Sequence, residues 1–540
     1  MGVEVWLFVA ALVLAAWSYS RRRHSYWSSR GIPSPPALPF LGHIHNMLSI
    51  FHFRWVYFDE VYHKYGGATL CGLYELFRPV LMIGDPDILK HICIKDFDHF
   101  VERRPFPAEK ESLMNEMLIN KYGDEWKALR SAMSPTFTSG KLRGMFPLIC
   151  DKADSLVSFT LSAASKQPYV DMKENFGRFT MDTIASCAFG IECNSFRDKK
   201  PEFAKWASDF FDFSFVRLIK FTLFNISPKL FNDLGIKMGT FSVEFFQRVA
   251  EETIAARKAG QKRNDFLDLL LDAQAGHNLP TTAHVSAASH TQSTTDDSAA
   301  TDNLKNNSQY SNSENKNIST TSKQVLTDRS IVAQSVMFLI AGFDTTASTL
   351  AFSSFLLAKN PRHQQRLREE LQQIIQEHGD ITYQGIMEAK FLNACLMETL
   401  RVYPPGTTGE RICTKTYKIP GTELIVHPGD LVYFPIWSLH HDSRYFPNPE
   451  EFLPDRFLPE NKDNITSFTH MPFGMGPRNC IAMRFALMEA KVALAKLLLK
   501  VELHLKSDFQ EVRLAKSPII LTPEGGVHLV IKPLATNIKK

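Results

Sequence analysis

The chain has 540 residues, 44% of them hydrophobic and 22% charged, with a formal net charge of +4. That is ample apolar material for a large core, in one fold or several, and so small a net charge excludes an obvious nucleic-acid protein. The eight cysteines, Cys71, Cys93, Cys150, Cys187, Cys193, Cys395, Cys413 and Cys480, form no CxxC pair, so neither a disulfide framework nor a zinc site is indicated and a reducing compartment fits best.

The first element is "VWLFVAALVLAAW", residues 5–17, an unbroken apolar run. With its flanks it predicts a helix of roughly 18 residues and about 27 Å, near the lower limit for crossing a bilayer. Arg21, Arg22 and Arg23 follow it and no basic residue precedes it, unlike a cleaved signal peptide. Basic flanks stay cytoplasmic. Residues 1–20 are therefore expected to be an uncleaved single-pass anchor, with the rest of the chain in the cytoplasm. Residues 21–49 are basic and then proline-rich. Pro33, Pro35, Pro36 and Pro39 forbid a helix and favour stiff extended chain, a hinge between anchor and body.

The body is expected at 50–540. Helical periodicity predicts helices around 145–165, 174–188 and 240–258. Residues 203–246 hold 11 phenylalanines in 44 positions, enough for an apolar pocket wall or a surface that touches lipid as well as core. Between 281 and 322, Ser, Thr and Asn fill 23 of 42 positions. Such a segment buries too little apolar surface to fold and is expected to be a disordered insert. Its sequons at Asn306 and Asn317 would stay unused on the cytoplasmic side.

A long apolar helix is predicted over 325–359. Its interior carries Gly342, Asp344, Thr345 and Thr346. A desolvated carboxylate and a mid-helix glycine are both costly, so this point is expected to face a functional cavity, with local opening of the helix. Farther on, "ETLR" sets Glu398 and Arg401 at i and i+3 on one helix face. Short strand-like runs follow, including 424–437, and then a proline-rich "NPEEFLPDRF" at 448–457. No βαβ alternation or GxGxxG signature is present, so no nucleotide-binding domain is expected.

"FGMGPRNCIAMRFALMEAKVALAKLLLK", residues 473–500, places Cys480 where a glycine-rich loop becomes a helix. Unpaired amides and the positive end of the helix dipole favour a thiolate there. It could serve as nucleophile, redox partner or metal ligand; the ordinary alternative is a small buried hydrophobe.

Taken in order, these pieces resemble the cytochromes P450, the haem-thiolate monooxygenases. Phe473, Gly476, Arg478 and Cys480 match the FxxGxRxCxG signature, with Ala482 at its final glycine. "AGFDTT" at 341–346 is similar to the oxygen-activation segment, "ETLR" to the ExxR pair, and "PDRF" at 454–457 to the PERF element. "SPTFTSGKL" at 134–142, "RFALMEAKVALAKLL" and the Phe-rich segment resemble most the microsomal steroid and xenobiotic hydroxylases of the third family.

The resemblance implies a mainly α fold with small β-sheets, a single large haem domain behind the anchor. It implies haem b (iron protoporphyrin IX), with Cys480 as the axial metal ligand. Phe473 belongs to the cofactor-binding set, and Trp126, Arg130, Arg411, Arg478 and Arg103 are the candidates for the propionates. Asp344 and Thr345 would relay protons, while Ala341 and Gly342 leave room for oxygen and substrate. Phe338, Ile340, Ala341, Thr407, Thr408, Pro518 and Ile519 are pocket-wall candidates, and Glu398, Arg401 and Arg456 are the structural triad. Implied partners are NADPH–cytochrome P450 reductase, with cytochrome b5 as a second donor, a bulky lipophilic substrate and membrane lipid of the endoplasmic reticulum. Lys127, Lys141 and Arg143 are candidate docking cations. Rival readings on the same fold are a haem-thiolate isomerase or dehydratase, and a haem-based binding or sensing protein.

Overall fold

The amino-terminal apolar run forms the helix Val3–Arg23, with Trp6, Leu7, Phe8, Leu14 and Trp17 exposed. At 1.5 Å per residue its length is about 32 Å. The computed structural model describes residues 2–47, 54–197, 202–211, 214–238, 241–263, 265–275, 326–515 and 520–534. The insert expected at 281–322, with its two sequons, lies outside the described residues, as do Pro518 and Ile519.

The end of the first helix is tied to the body. The Phe40 amide donates to Ser20 Oγ at 3.0 Å, and His24 Nε2 lies 2.9 Å from the Leu76 carbonyl. Trp27 is buried, and its ring occupies the space above Gly72, where a Cβ would come within 2.1 Å of it.

Helices dominate the rest. The expected segments appear as Ser139–Ala164, Met172–Ile184 and Phe241–Lys258. Asp171 caps the second of these, accepting the Lys173 amide at 2.9 Å. Ala185–Phe189 then widens into a π-turn that ends at Gly190. The long helix runs without a break from Asp328 to Lys359, capped by Thr327 Oγ accepting the Ser330 amide. The local opening expected near Gly342 is absent. Gly342 serves close packing instead: a Cβ there would lie 2.2 Å from Ile184 Cδ1 on the Met172–Ile184 helix.

Three small sheets complete the body. Strands β1 (Leu70–Glu75) and β2 (Arg78–Ile83) form a hairpin. The two-residue strand β3 is Val170–Asp171, and β4 is Gly409–Ile412. Then come β5 (Tyr417–Lys418), β6 (Ile425–Val426), β7 (Leu431–Phe434), β8 (Val501–Leu505) and β9 (His528–Pro533). The four-stranded sheet has the order β1-β2-β7-β4, with β2 and β7 parallel in the register Val80↔Leu431. The others are β3-β9-β8 and β5-β6.

The main core gathers around the long helix and the carboxy-terminal helix Met483–Leu498, which is buried from Met488 to Ala495. Glu398 and Arg401 are fully buried and joined by two hydrogen bonds of 2.8 Å. Glu398 also accepts the Leu453 amide and faces Arg456 Nε at 3.4 Å. Arg401 donates onward to the His440 and Glu451 carbonyls. The pair is thus satisfied by backbone from the end of the short helix Ile436–His440 and from the loop at 451–453, which ties both to one helix.

Of the roles open to the Phe-rich segment, its described phenylalanines take core packing and, at Phe221, the wall of an internal cavity. Its phenylalanines with described side chains, Phe203, Phe210, Phe221, Phe224, Phe231, Phe245 and Phe246, are buried or half-buried. The exposed apolar side chains there are aliphatic: Val216, Ile219, Leu230 and Leu234.

Candidate active site

The loop before the carboxy-terminal helix is shaped by its own backbone. The Cys480 amide donates to the Phe473 carbonyl at 2.8 Å, and Asn479 closes a turn on Gly476. Gly476 has a φ of 70°, and a Cβ there would lie 1.9 Å from the Cys93 carbonyl oxygen, so only glycine fits. Ala482, by contrast, has a φ of −94°. Its backbone makes no demand for the glycine found at that place in the signature.

Cys480 is the one exposed cysteine of the eight, and the surface it exposes lines an internal cavity of about 540 Å³. Burial pushes its thiol pKa up; the Ala482 amide, Arg130 and Arg103 pull it down without reversing that. Desolvation outweighs amides and distant cations, and an anionic sulfur here needs a cation bonded to it.

Arginines surround the loop. Arg130 donates to the Asn479 carbonyl at 2.9 Å and to its Oδ1 at 2.8 Å. Arg478 donates to the Val101 and Lys121 carbonyls and stacks on Trp126 at 4.0 Å. Arg103 donates to the Arg478 carbonyl at 2.6 Å. Arg411 lies over Phe434 and reaches the Met475 carbonyl at 3.4 Å. Among the described residues none of these four guanidinium groups has a carboxylate at ion-pair distance. The Nε atoms of Arg103 and Arg411 are buried with no hydrogen-bond partner. Burial, then Arg411 and Arg130, depress Arg478 to about 9. Burial, then Arg411 and Arg478, hold Arg103 well below the usual arginine range. Such crowding of uncompensated cations calls for a bound anion.

Opposite the cysteine lies one face of the long helix. Phe338, Ala341, Gly342, Thr345 and Thr346 line the cavity, at i, i+3, i+4, i+7 and i+8. Phe338 packs edge-on with Phe137 and Phe266 at 5.4 and 4.4 Å. The Thr345 hydroxyl donates to the Ala341 carbonyl at 2.7 Å.

Residues two or six positions from Phe338 fall on the other side. Ile340 is buried in the core, outside the cavity wall. Asp344 also lies outside the lining and is ion-paired with Lys173. That pair is how an apolar helix carries a carboxylate, and it corrects the expectation that Asp344 opens into the cavity.

The remaining expected site residues divide as follows. Cys480, Phe473, Arg478, Arg103, Ala341, Thr345, Phe338 and Thr408 line the cavity. Trp126, Arg130, Arg411 and Thr407 are not part of that wall; the Thr407 carbonyl accepts the Trp437 amide at 2.9 Å. The sequence reading missed Lys173, Ile184, Phe137 and Glu489. For Lys173 a signal existed: a carboxylate inside an apolar helix requires a cation from elsewhere.

A family model described as "Cytochrome P450" matches residues 32–292 and 287–530. The chain belongs to the cytochrome P450 family. It is similar to cytochrome P450 9e2 of Blattella germanica, 35% identical with 97% of each chain covered. It is also similar to cytochrome P450 3A41 of Mus musculus, 34% identical over 97% of this chain and 94% of the other. Cytochrome P450 3A2 of Rattus norvegicus is likewise 34% identical, over 99% and 97%. The protein is therefore a P450 monooxygenase, and the family implies a haem iron. The residues present fit that group: a cavity-facing thiol for the iron, and two buried unpartnered arginine Nε atoms on the side where an anion is called for.

Proposed function

We propose that this P450 inserts one oxygen atom of O2 into a bulky lipophilic xenobiotic or steroid. The observation that carries this is the placement of the Cys480 thiol and the Phe338–Thr346 face on one apolar cavity. Bound haem b would supply the activation of dioxygen, with the thiolate pushing electron density toward it.

The chain's own residues do the rest. Cys480 would hold the iron, its loop fixed by the Phe473 carbonyl and Arg130. Arg103, Arg130, Arg411 and Arg478, with Trp126, would neutralise the propionates. Phe338, Phe137 and Thr408 would bound the substrate and exclude water. The Thr345 hydroxyl would hold water and pass protons toward the reduced oxygen. Asp344 could take part only after leaving Lys173.

Electrons from NADPH would come through a separate reductase, with cytochrome b5 as a second donor, since the chain has no flavin or nicotinamide signature. The helix Val3–Arg23 would be a single-pass anchor in the endoplasmic reticulum, with the catalytic body on the cytoplasmic side. The cytochrome P450 3A relatives support the substrate class. Reconstitution with a reductase and a panel of lipophiles tests the reading. Substrate-dependent NADPH consumption with oxygenated product is expected; rearranged product without NADPH consumption would contradict it.

A further inference from the structure

The cavity has a second group of arginines, on the side of the four-stranded sheet. Arg103 and Arg104 are neighbours in the chain but reach different partners. Arg103 donates to the Arg478 carbonyl in the cysteine loop, whereas Arg104 reaches Glu75 of β1 and the Tyr433 hydroxyl of β7. Arg54, at the start of the helix Arg54–Lys64, lies over the same Tyr433 ring at 5.1 Å and over Phe58 at 5.2 Å. Arg54, Arg104 and Glu410 line the cavity here, and Glu410 stands opposite Tyr433 in the pairing of β4 with β7.

The charges on this side do not balance. Three guanidinium groups, of Arg54, Arg78 and Arg104, meet two carboxylates, Glu75 and Glu410. Arg104 lies 2.8 Å from Glu75 and 3.9 Å from Glu410. Glu75 is fully engaged, accepting two hydrogen bonds from Arg104 and one of 2.6 Å from the Tyr433 hydroxyl. Burial would raise its pKa, but Arg104 and then Tyr433 hold it below the ordinary carboxylate range. Arg78 donates to the Gly429 carbonyl at 2.6 Å. Arg54 is left over. Among the described residues it has no carboxylate at ion-pair distance, and its Nε is buried without a hydrogen-bond partner. The acids of its own helix, Asp59 and Glu60, face His63 and Lys64. Residues 48–53, which precede it, carry no acidic side chain. Ring contacts steady the charge but satisfy none of its N–H donors. A buried donor left unbonded asks for an explanation, and a planar fork of donors suits a carboxylate.

We propose that Arg54 receives the carboxylate of an amphipathic substrate, whose apolar body fills the rest of the cavity against Phe106, Phe137 and Phe338. This deepens the reading of the cavity as an oxygenation site and rests on it: among lipophiles, those with an acidic end are selected. The other source of a carboxylate is the haem itself. Its propionates already have the guanidinium groups of Arg103, Arg130, Arg411 and Arg478 around the cysteine loop, and Arg54 stands with the sheet instead.

The test uses the full-length holoenzyme, with laurate and its methyl ester as probes. Binding is read from the haem spin-state shift and from equilibrium dialysis of the labelled compounds, which does not depend on haem. Wild type should bind laurate roughly tenfold more tightly than the ester, the low side for a charge-assisted contact, and added salt should shrink that preference. Arg54→Ala should weaken laurate roughly tenfold and leave the ester unchanged, while keeping haem and the thiolate-type carbon monoxide spectrum. Arg54→Lys should keep part of the preference. A wild type that does not prefer the acid overturns the proposal and needs no variant. An equal loss for acid and ester in Arg54→Ala, the mark of a packing role, overturns it too. Folded Arg54→Ala protein that lacks haem would assign Arg54 to the propionates and overturn it. Should Arg54→Ala fail to fold, Arg54→Gln decides, and an unchanged preference there overturns it equally. A wild type without the thiolate spectrum that still prefers laurate in dialysis would remove the haem reading and leave this one standing.

Discussion

Replacing Lys173 by methionine keeps the length of the side chain and removes the charge that holds Asp344. The carboxylate is 13% exposed and the ammonium 16%. Removing one partner from a fully buried pair costs about 3–5 kcal/mol because the other charge stays desolvated. Here some water reaches both groups, so the cost should be nearer 2 kcal/mol. Asp344→Asn should cost less, about 1 kcal/mol, since the freed lysine can extend its stem toward solvent. In Lys173→Met/Asp344→Asn no charge is stranded, and part of the loss should return. A double-mutant cycle read from thermal loss of the haem-retaining fold gives the coupling. Lys173→Met should lower that temperature by roughly 2 °C in a chain of this size, and the double variant should recover at least half. Strict additivity of the two single effects would refute the pairing as the reason Asp344 is tolerated.

Other consequences are equally direct. Thr345→Ala should retain haem and substrate binding while product per NADPH falls and peroxide rises, with Thr345→Ser milder. An unchanged ratio would mean that the Ala341 bond is the hydroxyl's whole role. Gly476→Ala should lose haem on expression, because its Cβ would strike the Cys93 carbonyl in a left-handed backbone. Ala482→Gly should leave haem content unchanged. Arg401→Lys should be far from conservative: lysine cannot bond both Glu398 oxygens and two carbonyls. A loss of about 3–5 kcal/mol is expected, read as failure to accumulate folded holoprotein.

The parts legible in the sequence were those written locally. The Cys480 loop is one short stretch whose glycines and cysteine are neighbours in the chain. Glu398 and Arg401 meet because i and i+3 share a helix face. The long helix and the apolar first helix followed from composition and period. What failed to show depends on contacts between distant segments. Lys173 reaches Asp344 from another helix, and Gly342 packs against Ile184, which lines the cavity beside it. Ile340 was placed in the pocket wall by proximity to Phe338, although two positions rotate a side chain to the opposite face. Glu489 carried the same signal as Asp344, an acid in an apolar helix, but no motif drew attention to it. Cys187 also lines the cavity but is buried; the exposure of Cys480 within it, which separates it from the seven other free cysteines, exists only in the folded chain.

The central claim is that Cys480 is the thiolate ligand of a haem. The most direct measurement is the carbon monoxide difference spectrum of the reduced full-length protein, in wild type, Cys480→Ala and Cys413→Ala. Wild type and Cys413→Ala should both show the long-wavelength Soret band of thiolate ligation, and Cys480→Ala should not. A normal band in Cys480→Ala would contradict the account.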